Sequence, residues 1–110
     1  MSHPFHVYGA ALGLVTGLRL VLDGLVKSDR ALADQLRRAA SSVALNIAEG
    51  NRRTGKDRAH FFRIAAGSAA EVRAALDVAR AWGMVGAAPE AEAELDRVLA
   101  MLWRLTHRRG

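Results

Sequence analysis

Apolar residues recur at every third or fourth position along most of the chain, which is the spacing of one apolar helix face. In the first segment this spacing runs through Val7, Ala11, Leu14, Leu18, Val21 and Leu25. The second and third segments carry it through Leu32, Leu36, Ala39, Val43 and Asn46, and through Phe62, Ala65, Ala69, Val72, Leu76 and Ala79. A fourth segment carries it through Ala91, Leu95, Val98, Leu102 and Leu105. No segment has the alternation of a strand, so the pattern predicts four helices and an all-α fold.

Polar and small residues mark the ends of the predicted helices. Ser28 or Asp29 is positioned to cap the second helix, and Gly50 is a suitable C-terminal residue for the same helix. Thr54, followed three residues later by Asp57, is a capping-box signal for the start of the third helix. We therefore expect the second helix to stop at Gly50 and the third to begin after Thr54.

Short joints connect the four predicted helices, and short joints favour antiparallel neighbours. The third helix is expected to end near Gly83, and Pro89 suits the first position of the fourth. We therefore expect residues 1–110 to form a single domain, an up-and-down antiparallel four-helix bundle.

Three glycines recur at every fourth residue along the first predicted helix, namely Gly9, Gly13 and Gly17. Each costs about 1 kcal/mol of helix propensity relative to alanine. A smooth ridge that lets another backbone pack closely would compensate for this cost. Chance in a chain rich in small residues is the alternative.

The composition is that of a soluble globular domain. Hydrophobic residues make up 51% of the chain and cysteine is absent, which excludes disulfides, thiolate zinc sites and cysteine nucleophiles. A chain without cysteine fits a reducing compartment, and we expect a cytoplasmic protein. The longest apolar stretch, residues 10–26, is interrupted by Arg19 and Asp23, so we expect neither a membrane span nor a signal peptide.

The net charge is +5, from 16 Lys and Arg against 11 Asp and Glu. Lys27 and Lys56 are the only lysines, so nearly all the positive charge is guanidinium, which binds phosphate well. A genome whose base composition favours Arg and Ala codons is the alternative explanation.

The ordered marks of a family appear between Gln35 and Glu71. They are Gln35, Arg37, Arg38, Ala39, Ala40, Ser42, Asn46, Ile47, Ala48, Glu49, Gly50, Gly67, Ser68 and Glu71. In this stretch the chain resembles the bacterial four-helix-bundle proteins encoded by intervening sequences in large-subunit ribosomal RNA genes. The resemblance implies a bundle that assembles into a homopentameric ring, with no established enzymatic activity.

A more distant resemblance links the chain to the accessory variability determinant of diversity-generating retroelements. That resemblance implies a similar ring with a basic surface that binds nucleic acid and a reverse transcriptase. The candidate partners are therefore a second copy of the chain, RNA or DNA, and a reverse transcriptase or another protein. The first helix departs from the family pattern, because its glycines stand where bulkier aromatic residues are common.

Two polar motif residues, Asn46 and Ser68, fall on the predicted core stripes. An unpaired buried amide costs about 1–3 kcal/mol, so we expect Asn46 to bond Ser68 or a backbone carbonyl beside Gly67. The charged motif residues border the same seam. We expect pairing of Arg37 or Arg38 with Glu49 or Glu71, across helices or from a neighbouring subunit, so that the motif serves fold and assembly.

A catalytic or metal-binding use of Asn46, Glu49 and Glu71 is the competing interpretation. Di-iron bundles need a histidine three residues after the glutamate, and neither Glu49 nor Glu71 has one. We therefore expect no metal, no cofactor and no enzymatic activity. A small hydrolase or nuclease would need acid and base groups that the spacing does not bring together.

Basic residues concentrate where the second and fourth predicted helices end and the third begins. They are Arg52, Arg53, Lys56, Arg58, Arg104, Arg108 and Arg109. A ring would multiply this patch, so we expect binding of nucleic acid without sequence preference. No aromatic residue interleaves the arginines of the joint, so base stacking is not predicted. A solvated loop on a protein-protein interaction scaffold is the alternative.

Large apolar residues outside the four stripes favour self-association. They are Leu12, Val15, Leu22, Leu45, Ile47, Trp82, Met84, Val85, Met101 and Trp103. A broad core stripe within one bundle is the competing account.

Overall fold

A computed structural model describes residues 4–107 and shows an all-α chain. Its helices are α1 (Pro4–Gly17), α2 (Arg19–Ser28), α3 (Arg30–Asn51), α4 (Gly55–Ala81) and α5 (Pro89–Thr106). No strand occurs between residues 4 and 107. The predicted all-α class is confirmed, and Pro89 lies in the first turn of α5 as expected.

The first predicted helix is divided at Leu18, so the described residues form five helices instead of four. The axes of α1 and α2 differ by 43° at this break. Two local features favour a bend here: Gly17 weakens the helix, and the Thr16 hydroxyl donates to the Leu12 carbonyl at 2.9 Å. Periodicity did not reveal the break because Leu14, on α1, and Leu18 are both fully buried.

Two of the three glycines of α1 lie against α5. A Cβ at Gly17 would stand 3.1 Å from the Cα of Ala91, and one at Gly13 would meet the carboxylate of Glu94. The predicted ridge therefore exists at these two positions, whereas Gly9 faces open space. As position increases along α1 the contacts move toward the start of α5, so the two helices are antiparallel.

Helices α3 and α4 are antiparallel as well. Ser42 of α3 bonds Ser68 of α4, and Gly50 further along α3 contacts Phe62 earlier in α4. The C-terminus of α3 and the N-terminus of α4 therefore lie at one end of the molecule.

Between α4 and α5, Arg73 pairs with Asp96 and Arg80 with Glu92. These pairs run in opposite directions along the two helices, so the C-terminus of α5 lies at the same end as the start of α4. We call this end, made by residues 52–58 and the last turn of α5, the basic end.

One predicted helix end is confirmed and another is wrong. Asp29 caps α3 by accepting a hydrogen bond from the Leu32 amide at 3.0 Å. However, α3 runs past Gly50 to Asn51, and Gly50 is buried. A Cβ at Gly50 would lie 2.6 Å from the Phe62 ring, so this glycine makes room for an aromatic side chain and does not terminate the helix.

The capping box predicted at the start of α4 does not form. Thr54 is the N-cap residue, but its side chain makes no capping hydrogen bond. The carboxylate of Asp57 instead lies 3.5 Å from the Arg53 guanidinium. The left-handed backbone of this turn falls at Gly55, where φ is 59°.

Only part of the apolar surplus outside the stripes is exposed. Ile47 is fully buried, and most of the other side chains pack against the core. Leu12, Leu45, Trp82 and Trp103 are exposed. The broad core stripe therefore explains part of the surplus, and these four residues remain available for contacts with other molecules.

Candidate assembly face and basic end

A chain of hydrogen bonds joins three polar motif residues between α3 and α4. The Ser42 and Ser68 hydroxyls are 2.8 Å apart. The Asn46 side-chain amide donates to the Ser42 carbonyl at 2.9 Å and to the Ser42 hydroxyl at 3.0 Å. Asn46 thus reaches Ser68 through Ser42, whereas the sequence predicted a direct contact. Because these bonds join side chains of two helices at one level, they favour one helix register.

The outward surface of α3 and α4, which we call the α3–α4 face, combines apolar and charged side chains. It carries Arg38 and Leu45 on α3 and Ile64, Glu71 and Val78 on α4, all exposed, with Leu45 at 69%. An open groove of about 560 Å³ follows its α3 side, from Asp34 to Asn46.

Arg38 and Glu71 lie near the same level of this face. The Ser42–Ser68 contact sets the register, so four residues back along α3 corresponds to about four residues forward along α4. Neither side chain forms an ion pair within residues 4–107. Arg37 lies to one side of the face, in a groove of about 330 Å³ that α3 shares with α2.

Glu49 is paired with arginines of its own helix end. Its carboxylate lies 2.8 Å from Arg53 Nε and 4.0 Å from Arg52. The hydrogen bond that Arg53 donates to Glu49, followed by the charge of the same carboxylate, raises the pKa of Arg53. The expected pair between Glu49 and Arg37 or Arg38 is absent within the described chain, because eleven helical residues separate the two groups by about 16 Å.

Arg58 closes the C-terminus of α3. Its guanidinium donates to the carbonyl oxygens of Arg53 at 3.0 Å, Gly50 at 3.3 Å and Asn51 at 3.4 Å. The last carbonyls of a helix lack partners within the helix, and a cation there also meets the negative end of the dipole. Arg58, predicted only as a phosphate ligand, therefore has a structural contact that the spacing of charges did not indicate.

We expect Arg58→Ala to lower the free energy of unfolding by about 1–3 kcal/mol, because the α3 carbonyls lose a charged donor. Arg58→Lys should recover little of this loss, since an ammonium group lacks the planar fork of donors that spans several carbonyls. Urea unfolding of the variants measures the effect, and Lys56→Ala is the exposed neighbouring control. Equal midpoints for Arg58→Ala and Lys56→Ala would contradict the capping role.

The remaining predicted phosphate ligands differ in their surroundings. The Arg52 side chain is 78% exposed in the joint between α3 and α4, and Lys56 is exposed in the first turn of α4. Arg104 is exposed on the last turn of α5. Arg108 and Arg109 lie outside the residues that the structure describes.

Aromatic side chains also occur near these basic residues, which the sequence analysis did not expect. The Arg53 guanidinium lies 5.1 Å from the centre of the Phe61 ring. On α5, Trp103 stacks on His107 with ring centroids 4.3 Å apart. A spacing of four residues at the end of a helix was the available signal for the second contact.

In the described part of the chain, no group of three or more His, Asp and Glu residues is arranged to hold a metal ion. Among the described helices, none is long and apolar enough to cross a membrane alone. The bent pair α1 and α2 passes that test of length and composition only when both helices are taken together.

Comparison with known proteins gives a family but no individual relative. No curated protein and no solved structure matches the chain. The family model described as 23S rRNA-intervening sequence protein matches residues 5–104, which span all five helices almost completely. The motif between Gln35 and Glu71 lies within this match, and the chain belongs to the 23S rRNA-intervening sequence protein family.

Proposed function

We propose that this protein is a non-enzymatic, homo-oligomeric module that binds nucleic acid at its basic end without reading sequence. In this proposal α1 and α2 together take the place of one bent helix in an up-and-down four-helix bundle. The α3–α4 face joins the copies, and a pentamer is the expected assembly.

The observation that carries the proposal is the composition of the α3–α4 face. Arg38 and Glu71 lie on it without an ion partner in the described chain, beside the exposed side chains of Leu45 and Ile64. Unpaired charges of both signs beside apolar groups suit a head-to-tail contact between copies, in which Arg38 of one subunit meets Glu71 of the next.

The polar motif residues support a structural role. Asn46, Ser42 and Ser68 satisfy one another, and Glu49 is paired with Arg53. Groups that are already hydrogen-bonded in this way stabilise helix packing. We therefore propose a scaffold and no catalytic step.

The basic end supports binding to nucleic acid. Arg52 is exposed in the joint between α3 and α4, Lys56 is exposed in the first turn of α4, and the end of α5 adds Arg104. A ring repeats this patch once per subunit, so individually weak phosphate contacts add up. Phosphate contacts do not depend on the base, so the binding is expected to be insensitive to sequence.

Titration of labelled RNA with the full chain at several salt concentrations tests the nucleic-acid function. Affinity should fall steeply with salt, and each phosphate contact removed from a single strand should reduce the log–log slope by about 0.7. The variant Arg52→Glu with Lys56→Glu should lose affinity and slope. The variant Lys27→Glu with Arg30→Glu, which makes the same charge change at the opposite end, is the matched control.

Two results would count against this function. Equal loss in both variants would mean that net charge alone drives binding. Absence of binding at low salt would favour the alternative, a protein-protein interaction scaffold in which the basic residues only solvate the surface.

A further inference from the structure

We infer that Trp103 and His107 form a stacking platform for an unpaired base of single-stranded nucleic acid. The inference rests on the proposed function, because it specifies which form of nucleic acid the basic end takes. Trp103 was predicted as a contact between subunits, and His107 only as one of the basic residues that complement the C-terminal dipole of the last helix.

The two rings are held in a fixed, parallel arrangement. Their centroids are 4.3 Å apart and their planes differ by 11°. The His107 Nδ1–H donates to the Trp103 carbonyl at 2.8 Å, which orients the imidazole against the indole. Trp103 nevertheless remains 60% exposed. A large exposed ring that is already oriented loses little conformational entropy when a base stacks on it.

Trp103 lies on the flank of α5 that faces α4. The ion pairs of Glu92 with Arg80 and of Asp96 with Arg73 mark this flank. Trp103 follows Asp96 by seven residues, or about two turns, and so returns to the same side of the helix. The indole therefore stands on the α4 side of α5, near the basic end.

Positive charge accompanies the platform. The antiparallel register places Trp103 roughly level with Ala66 of α4, and Arg63 lies one turn from Ala66 toward the basic end. Arg63 is exposed and forms no ion pair within the described residues. This arginine was not among the predicted phosphate ligands.

Negative charge is absent from the sequence of the surrounding segments. Residues 97–106 of α5 with His107 after it, residues 58–70 of α4 and residues 4–17 of α1 contain neither Asp nor Glu. The phosphate of a stacked nucleotide would therefore meet guanidinium groups without carboxylate repulsion. This combination of an oriented aromatic pair with an adjacent cation matches the chemistry of a nucleotide with an accessible base.

The chemistry favours a single strand over a duplex. In a duplex the base faces are covered by neighbouring base pairs, whereas a single strand can place a base on an aromatic ring. Stacking is available to every base, so the platform adds affinity without demanding a sequence.

The chain provides an internal control, because its two tryptophans lie at opposite ends. Trp82 follows the C-terminus of α4, away from the basic end, and is 72% exposed. The variant Trp82→Phe keeps Trp103 as the only tryptophan, and Trp103→Phe keeps Trp82. Titration with oligouridylate should quench tryptophan emission in Trp82→Phe and leave it unchanged in Trp103→Phe.

The matched affinity experiment compares Trp103→Ala with Trp82→Ala, using labelled oligouridylate and duplex RNA of the same length. Trp103→Ala should weaken binding of the single strand about tenfold and leave the duplex unaffected. Trp103→Phe should fall between Trp103→Ala and the unaltered chain, since a smaller ring still stacks. Trp82→Ala should behave like the unaltered chain.

Three other outcomes would overturn the inference in distinguishable ways. If oligouridylate binds with unchanged affinity in Trp103→Ala, the platform is wrong and the proposed function survives. If Trp103→Ala lowers the molar mass measured by light scattering, the indole belongs to a contact between subunits. If the unaltered chain binds neither RNA, the proposed function fails and the platform fails with it.

Discussion

Phe62→Ala is expected to lower the free energy of unfolding by about 3–5 kcal/mol. The ring is 1% exposed and lies over Gly50, where the end of α3 meets the first turns of α4. Removal of the ring leaves a cavity between α3 and α4, which pack closely where Gly50 has no side chain. Urea or thermal unfolding measures the loss, and a cost below about 1 kcal/mol would contradict a tightly packed contact.

The same contact predicts an unusual result for the glycine itself. In an exposed helix position Gly→Ala stabilises by about 1 kcal/mol, because alanine has the higher helix propensity. At Gly50 the new Cβ would stand 2.6 Å from the Phe62 ring, so we expect a net loss of about 1–3 kcal/mol. Gly24→Ala is the control, since nothing lies within 4 Å of a Cβ at that position.

A double-mutant cycle separates this clash from other effects of Gly50→Ala. In the Phe62→Leu background the clash is relieved, so Gly50→Ala should become neutral or stabilising. Equal costs of Gly50→Ala in both backgrounds would show that the glycine serves another purpose.

The core residues could be predicted from the sequence because residues on the buried face of a helix recur every three or four positions. Leu36, Val43 and Leu76 are at most 1% exposed on the stripes where the spacing placed them. The same rule predicted the inward position of Ser68, which is 8% exposed. Each of these predictions needed only the pitch of one helix.

Contacts between helices were harder to predict from the sequence. Gly50 looked like a helix terminator because glycine commonly ends helices, whereas the facing ring of Phe62 shows that this glycine makes room for a neighbouring side chain. The break at Leu18 was also invisible, because the apolar stripe continues through it. Both features depend on which residues pack against a helix, and the spacing of apolar residues within that helix gives no information about its neighbours.

At the basic end, too, the sequence predicted where residues lie but not which partners they contact. Spacing placed Arg52, Arg53, Lys56 and Arg58 at one joint; Arg52 and Arg53 do lie between α3 and α4, and Lys56 and Arg58 lie in the first turn of α4. The spacing of basic residues could not show that Arg53 is paired with Glu49 or that Arg58 caps α3. An arginine that binds phosphate and one that makes a contact within the protein look the same in the sequence. Partner assignment requires distances, and the distances show that Arg53 and Arg58 make structural contacts.

The largest change in particle size is expected from charge reversal on the α3–α4 face. Arg38→Glu would place a second carboxylate opposite Glu71, at a contact that in this proposal needs opposite charges. Disrupting a buried charge pair at an interface typically costs about 2–5 kcal/mol, and a ring repeats that cost at every contact. Light scattering should show the unaltered chain as an oligomer and Arg38→Glu as the single 11.8 kDa chain.

Exchange of the two charges provides the decisive comparison. Arg38→Glu combined with Glu71→Arg restores opposite charges, so the oligomer should return, whereas Glu71→Arg alone should dissociate like Arg38→Glu. Lys27→Glu, a charge reversal outside this face, should leave the molar mass unchanged. An unaltered chain that is already monomeric, or an oligomer that tolerates both single reversals, would place assembly elsewhere than on the α3–α4 face. Because Arg38 and Glu71 are exposed, the monomer should stay folded in every variant, so loss of mass would report assembly and not unfolding.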